Sequence, residues 1–287
     1  MSNPWVTGFH DPATGSITYV VADPTTRRAA VIDPVWDLEP KSGRLSTHSL
    51  DRLCAFVQSE KLAIDWVLET HVHADHLTAA QLVKQRLGGR IAIGRHVCTV
   101  QRYFAELYAI EDEVAADGSQ FDRLIEDGES FAIGELRAMV LHTPGHTPAC
   151  ISYVVGDAAF VGDTLFMPDA GTARCDFPGG NARTLFGSVG RLLSLRPDTR
   201  IFVGHDYGAN GREVRWEASV AEHKERNIHV GGGREENAFV KLREERDRTL
   251  GAPTLILPAL QVNIRAGRLP APGANGTVYL KLPLNRL

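Results

Sequence analysis

Short β-branched runs at 17–21 and 29–32 flank the turn signal Asp23-Pro24-Thr25, so the chain is expected to open with an antiparallel hairpin. Leu50, Leu53, Cys54 and Val57 recur at i, i+3, i+4 and i+7 behind the capping candidates Ser46 and Thr47. That spacing predicts an amphipathic helix ahead of a strand at 64–68. A second helix is expected over 79–87, stopped by Gly88-Gly89, then a strand at 90–93 and a third helix over 99–108. The middle changes period: 136–141, 151–155 and 158–161 read as strands, the last two joined by the turn pair Gly156-Asp157. Alternation resumes with a helix at 183–195 and a strand at 201–203. Beyond it, 212–226 and 235–248 are charged and read as helices separated by Gly231-Gly232-Gly233, and the tail from Pro253 is rich in Pro and Gly. The pattern predicts one α/β domain over 1–287, with 212–287 a C-terminal helical and loop elaboration.

At 287 residues the chain buries enough apolar surface to fold without staples. With 31 Lys+Arg against 35 Asp+Glu and no like-charged block, nothing recommends nucleic acid or an anionic membrane as partner, and a small-molecule substrate is expected. Cys54, Cys98, Cys150 and Cys175 lie far apart without a CxxC pair, which fits free thiols better than a disulfide framework or a thiolate metal site. No leader pattern opens the sequence, and no apolar run approaches the roughly 18 residues of a membrane span, so a soluble, cytoplasmic protein is expected.

The chemistry concentrates in Thr70-His71-Val72-His73-Ala74-Asp75-His76, between a predicted strand and a predicted helix. Residues two apart in an extended segment point the same way, so His71 and His73 are expected to converge, with Asp75 and His76 at the turn into the helix. Imidazole and carboxylate together suit zinc, iron or manganese, and packing has no need for such a cluster. Three later elements each end a strand in a Gly-bearing loop that carries a ligand-type residue: His146 in His142-Thr143-Pro144-Gly145-His146, Asp163 after Gly162, and His205 after Gly204. Strand ends in α/β sheets gather distant residues into one crevice, so the four loops can share a metal site.

The ordered set His71, His73, Asp75, His76, His146, Asp163 and His205 resembles the metallo-β-lactamase-fold superfamily over roughly residues 15 to 210. The resemblance implies a four-layer αββα sandwich, two mixed β-sheets flanked by helices, with metal in a cleft at one edge. Dinuclear hydrolases of that superfamily use positions matching His71, His73 and His146 for one ion, Asp75, His76 and His205 for the other, and Asp163 as a bridge. The segments Ala173-Arg174-Cys175-Asp176-Phe177-Pro178-Gly179-Gly180 and Gly204-His205-Asp206-Tyr207-Gly208 look like the persulfide dioxygenase branch. That branch implies one Fe(II) per chain on His71, His146 and Asp163, oxidising glutathione persulfide with O2 to sulfite and glutathione. His73, Asp75, His76 and His205 then become supporting residues or a second metal site. Arg174 would take the glutathione carboxylate and Tyr207 would stand near iron and thiol, while Cys175 carries no implied role. Two alternatives stay open: a glyoxalase II-like thioester hydrolase with Zn2+ or a dinuclear site, and a non-catalytic metal-binding protein. A homodimer is compatible with the sequence.

Overall fold

The computed structural model describes residues 3–286. Its first half runs β1 (Trp5–His10), β2 (Ile17–Ala22), β3 (Arg28–Ile32), β4 (Val35–Glu39), β5 (Arg44–Ser46), α1 (His48–Ser59), β6 (Ala63–Leu68), β7 (Leu77–Thr78), α2 (Ala80–Leu87), β8 (Arg90–Gly94), α3 (Val97–Tyr108) and β9 (Arg123–Ile125). The second half runs β10 (Ser130–Ile133), β11 (Leu136–His142), β12 (Ile151–Val155), β13 (Ala158–Phe160), α4 (Ala182–Leu193), β14 (Arg200–Phe202), β15 (Glu217–Ser219), α5 (Val220–Arg226), α6 (Glu236–Asp247) and α7 (Ile256–Asn263). Two six-stranded sheets result, ordered β1-β2-β3-β6-β8-β9 and β10-β11-β12-β13-β14-β15, beside a small β5-β4-β7 sheet. Both large sheets are mixed. The expected hairpin forms between β2 and β3, and β3 then pairs parallel with β6, while the second sheet is antiparallel except where β13 meets β14.

The layer order follows from period-2 alternation in strands buried on both faces. In β2, Ile17, Tyr19 and Val21 pack between the sheets against Tyr153, Phe160 and Phe202, whereas Val20 and Ala22 point the other way. That outer face meets α1 (Leu50, Leu53, Val57), α3 (Val100, Phe104) and α7 (Ile256, Leu260). The outer face of the second sheet meets α4 (Leu185, Val189, Leu192), with Val220 and Phe239 completing the layer. The expected αββα sandwich is therefore the observed one.

One expectation fails at the C-terminal side. The helix expected over 212–226 exists only from Val220, because Glu217–Ser219 pairs antiparallel with β14 as an edge strand. A charged edge strand protects its open side and reads like a surface helix. The Pro- and Gly-rich tail contains the buried helix α7, where Pro258 sits in the first turn, a place where a missing N–H costs nothing.

Candidate metal centre

The metal loop leaves the C-terminal end of β6, and His146, Asp163 and His205 follow the C-terminal ends of β11, β13 and β14. The two sheets are stitched at this edge: Ile17 N–H donates to Gly204 O at 2.9 Å, and Ser16 bridges to His205. Gly162 has φ +49°, and a Cβ there would collide with Thr70, so glycine is required where β13 turns into the Asp163 loop.

His71, His146 and Asp163 form one buried group whose donor atoms all lie within 4.8 Å of one another. Their orientation is fixed from behind. Nδ1 of His71 lies 3.0 Å from the hydroxyl of Thr70, which itself donates to Asp33 Oδ2 at 2.7 Å. The ring must then donate from Nδ1, leaving Nε2 as a lone pair, and this Nε2 is buried with no hydrogen-bond partner. His146 repeats the device: Nδ1 donates to Arg174 O at 2.8 Å, and Nε2 faces Asp163 Oδ2 at 3.8 Å, beyond hydrogen-bond range. Burial, reinforced chiefly by the charged His73 beside it, holds His71 well below the usual imidazole range. Burial also lowers His146, partly offset by Asp163. Neutral imidazoles with bare Nε2 atoms beside a carboxylate fit a first-row transition metal ion, and the oriented backing is what such ligands need.

The remaining motif residues divide differently from the dinuclear expectation. His73 is 4.1 Å from His71 ring to ring, yet its Nε2 faces Asp33 Oδ1 at 3.1 Å and Glu69 Oε2 at 3.4 Å without hydrogen-bond alignment. It does not converge with His71 on a shared centre. Burial works against charge on His73, but Asp33 outweighs it and raises the group well above its usual range, while burial lifts Glu69 to about 7. His205 lies between two carboxylates, Nδ1 2.6 Å from Asp163 Oδ1 and Nε2 2.7 Å from Asp75 Oδ2. Despite burial these two acids hold it charged, and both acids are lowered in turn, chiefly by His205 once burial is overcome. His76 shares Asp75 Oδ2 at 3.0 Å and keeps a buried, unpartnered Nε2. A second set of donors that could hold an ion is thus His73, Asp75 and His76, without His205.

Four contributors escaped the sequence reading. Asp33 and Glu69 directly follow β3 and β6, and their only sequence signal is an acid just beyond a buried strand end. Ser16 Oγ touches Asp75 Oδ2, His76 Nδ1 and His205 Nε2 at 3.1, 3.1 and 3.0 Å. Asn263, at the end of α7, donates to the backbone carbonyls of His73 and His76 at 2.8 and 2.7 Å, and accepts Thr78 N–H at 2.8 Å.

A cavity of about 790 Å³ opens onto this centre, lined by Asp75, His146, Asp163, Phe166, Phe177, Tyr207 and the 250–255 segment among others. Tyr207 is 68 % exposed, its ring stacked on His205 at 5.9 Å and 13°. Arg174 lines the cavity too, but its fork is occupied: Nε and Nη2 donate to the two oxygens of Asp176 at 2.6 Å each, and Nη1 to Gly251 O at 2.6 Å. Its guanidinium also covers Phe177 at 5.2 Å, so the fork is engaged within the cavity wall. Cys175 is buried with its thiol pushed up by desolvation, an unreactive setting. His142 Nε2 donates to Pro148 O at 2.9 Å and its ring stacks on His96, away from the centre.

The family model described as the metallo-beta-lactamase superfamily matches residues 11–205. The chain belongs to the metallo-β-lactamase superfamily. Among relatives of this superfamily member, the beta-lactamase hydrolase-like protein of Xylella fastidiosa (strain Temecula1) is 53% identical over the whole chain, which spans 66% of that protein's length. Glyoxylase B2 of Dictyostelium discoideum is 44% identical over 96% of the chain and 95% of its own length. Human persulfide dioxygenase ETHE1 is 31% identical over 90% of the chain and 86% of its length. Among solved structures, ETHE1 from Myxococcus xanthus superposes with a TM-score of 0.74 at 30% identity, covering 92% of the chain and all of that protein. These likenesses place the metallo-β-lactamase frame beside the persulfide dioxygenase branch. No helix among the described residues is long and apolar enough to cross a membrane.

Proposed function

We propose that this metalloenzyme is a persulfide dioxygenase, converting glutathione persulfide, O2 and water to glutathione, sulfite and protons. The sulfane sulfur is oxidised by four electrons and dioxygen accepts them, with water supplying the third sulfite oxygen. The observation that carries the reading is the division of the seven motif residues. Two tautomer-fixed imidazoles and one carboxylate turn bare donor atoms toward one point, while His205 and Asp75 are tied to each other and to Ser16. Fe(II) held by His71, His146 and Asp163 would supply adjacent open positions for dioxygen and a sulfur ligand, as two histidines and one carboxylate do elsewhere.

The chain's own groups do the rest. Thr70 and the Arg174 carbonyl keep both imidazoles in the ligating tautomer. Charged His205 holds Asp163 by one oxygen and leaves the other facing His146. Phe166 and Phe177 give the cavity apolar walls, and the Tyr207 phenol at its wall would donate a hydrogen bond to a bound sulfur. The similarity to the persulfide dioxygenases of human and Myxococcus supports the same reading.

One other reading has a specific observation behind it. The 44% likeness to Glyoxylase B2 and the second donor set His73, Asp75 and His76 favour a dinuclear thioester hydrolase. Protein reconstituted anaerobically with Fe(II) is expected to consume O2 with glutathione persulfide, release sulfite and carry one iron. Absence of O2 uptake in iron-replete protein, with two ions bound and turnover of S-lactoylglutathione, would establish the hydrolase instead.

A further inference from the structure

Three arginines line the cavity, and two are internally satisfied. Arg174 is held by Asp176 and Gly251 O. Arg243 on α6 is buried, with Nε and Nη2 on Asp247 Oδ1 at 2.9 and 2.6 Å and Nη1 on Thr172 O at 3.0 Å. The third, Arg246, also on α6, is exposed and reaches the same cavity. The acids of its own helix are directed elsewhere: Asp247 to Arg243, Glu244 to Arg248 at 3.9 Å and Glu245 to Lys241 at 3.9 Å. Among the described residues no carboxylate lies within ion-pair distance of its guanidinium.

The same cations act on His229, beneath α6. Burial first, and then the cations Arg243, Arg246 and Arg234, push its imidazole down to about 4. Elsewhere the cavity wall carries Asp75, Asp163, Asp169 and Asp206, of which the last two are neutralised by Arg212. Between the carboxylate-rich metal centre and the uncompensated cation the lining is largely apolar, with Phe166, Phe177, Ile228 and Leu255.

We propose that Arg246 is the anion-receiving residue of this cavity, binding a carboxylate of a thiol or persulfide whose sulfur end lies at His71, His146 and Asp163. A planar fork without an internal partner suits bidentate carboxylate capture. The proposal deepens the persulfide reading and rests on it for the identity of the sulfur end. Arg246 then selects acidic thiols over neutral ones, and because it is exposed, its contribution weakens with added salt.

The test compares glutathione with its diethyl ester. Calorimetric binding of both thiols to metal-replete wild type, Arg246→Gln and Arg246→Lys is measured beside O2 uptake with the two persulfides. Arg246→Gln is expected to weaken glutathione binding about tenfold and raise KM for its persulfide similarly with kcat retained, as loss of one charge-assisted carboxylate contact should. The ester should be unaffected, and Arg246→Lys should recover part of the loss. Equal losses for acid and ester, no loss for either, or a wild type that does not prefer the acid would overturn the assignment. If wild type takes up no O2 while the glutathione-specific loss in Arg246→Gln remains, the oxygenase reading falls and the anion subsite stands.

Discussion

The carboxylate of Asp163 is divided between two histidines: Oδ1 lies 2.6 Å from Nδ1 of His205 and Oδ2 lies 3.8 Å from Nε2 of His146. The first is a charge-assisted hydrogen bond and the second a separation between two metal-facing donors. Asp163→Asn is therefore expected to lose the metal and the activity together while keeping the fold. His205→Gln, which removes a supporting contact, should weaken metal affinity by about 10- to 100-fold without changing stoichiometry. Metal content by elemental analysis tests the dinuclear arrangement in which His205 is a ligand, because such a centre would lose one of two ions in that variant.

Asn263 binds the C-terminal helix to the metal loop. Its amide donates to His73 O and His76 O, both in the loop that carries the metal donors, and its carbonyl accepts from Thr78. Asn263→Asp keeps the acceptor and removes both donors, leaving two buried carbonyls unpaired. A loss of about 2 to 4 kcal/mol in urea unfolding is expected, together with weaker metal binding. Metal affinity unchanged in Asn263→Asp would show that the loop holds its shape without α7.

Acid should loosen the second helical layer. His223 and His229 are buried and neutral, each pushed down to about 4, His223 by burial and His229 by burial and nearby arginines. A histidine depressed in the folded state contributes stability that is fully present above its ordinary value near 6.5 and is lost as pH falls toward 4. The upper bound for each is roughly 3 kcal/mol. His223→Gln should be less stable than wild type at pH 7.5, yet show a shallower fall in unfolding free energy between pH 7 and 5. Parallel pH profiles would exclude this source of acid sensitivity.

The sandwich was legible in the sequence because its strands obey local rules. Ile17, Tyr19 and Val21 alternate with Val20 and Ala22, and α1 shows its apolar stripe at Leu50, Leu53, Cys54 and Val57. His71, His146 and Asp163 were legible because ligand-type residues at strand ends have few packing uses. Ser16, Asp33 and Asn263 were not, because each acquires its role only through partners 37 to 190 positions away. The motif also concealed the different donor groups of His71 and His73: alternation predicts a shared face, but the loop is not extended there, and His73 Nε2 faces buried Asp33 while His71 joins His146 and Asp163. Arg174 shows the same limit, since an arginine suited to a substrate carboxylate has one of its own two residues away in Asp176.

The tautomer of His71 rests on a single hydroxyl, which makes Thr70 a sharp probe of the centre. Its Oγ1 lies 2.7 Å from Asp33 Oδ2 and 3.0 Å from His71 Nδ1, and its N–H donates to Asp33 Oδ1 at 2.7 Å. The hydroxyl proton belongs to the carboxylate, so the oxygen can only accept from the ring, and the bare nitrogen of His71 becomes Nε2. Thr70→Val preserves shape and the backbone contact but removes that relay. The imidazole then loses the partner that fixes which nitrogen is bare, and Asp33 loses one donor. Metal affinity is expected to fall about 10- to 100-fold. Thr70→Ser, which restores the oxygen, should return it to within a few-fold of wild type. Co(II) substituted into the three proteins gives a readout independent of turnover, since a reoriented imidazole alters the visible absorption of the bound ion. Matching Co(II) spectra and affinities in wild type and Thr70→Val would show that His71 is oriented by packing rather than by the Asp33–Thr70 relay.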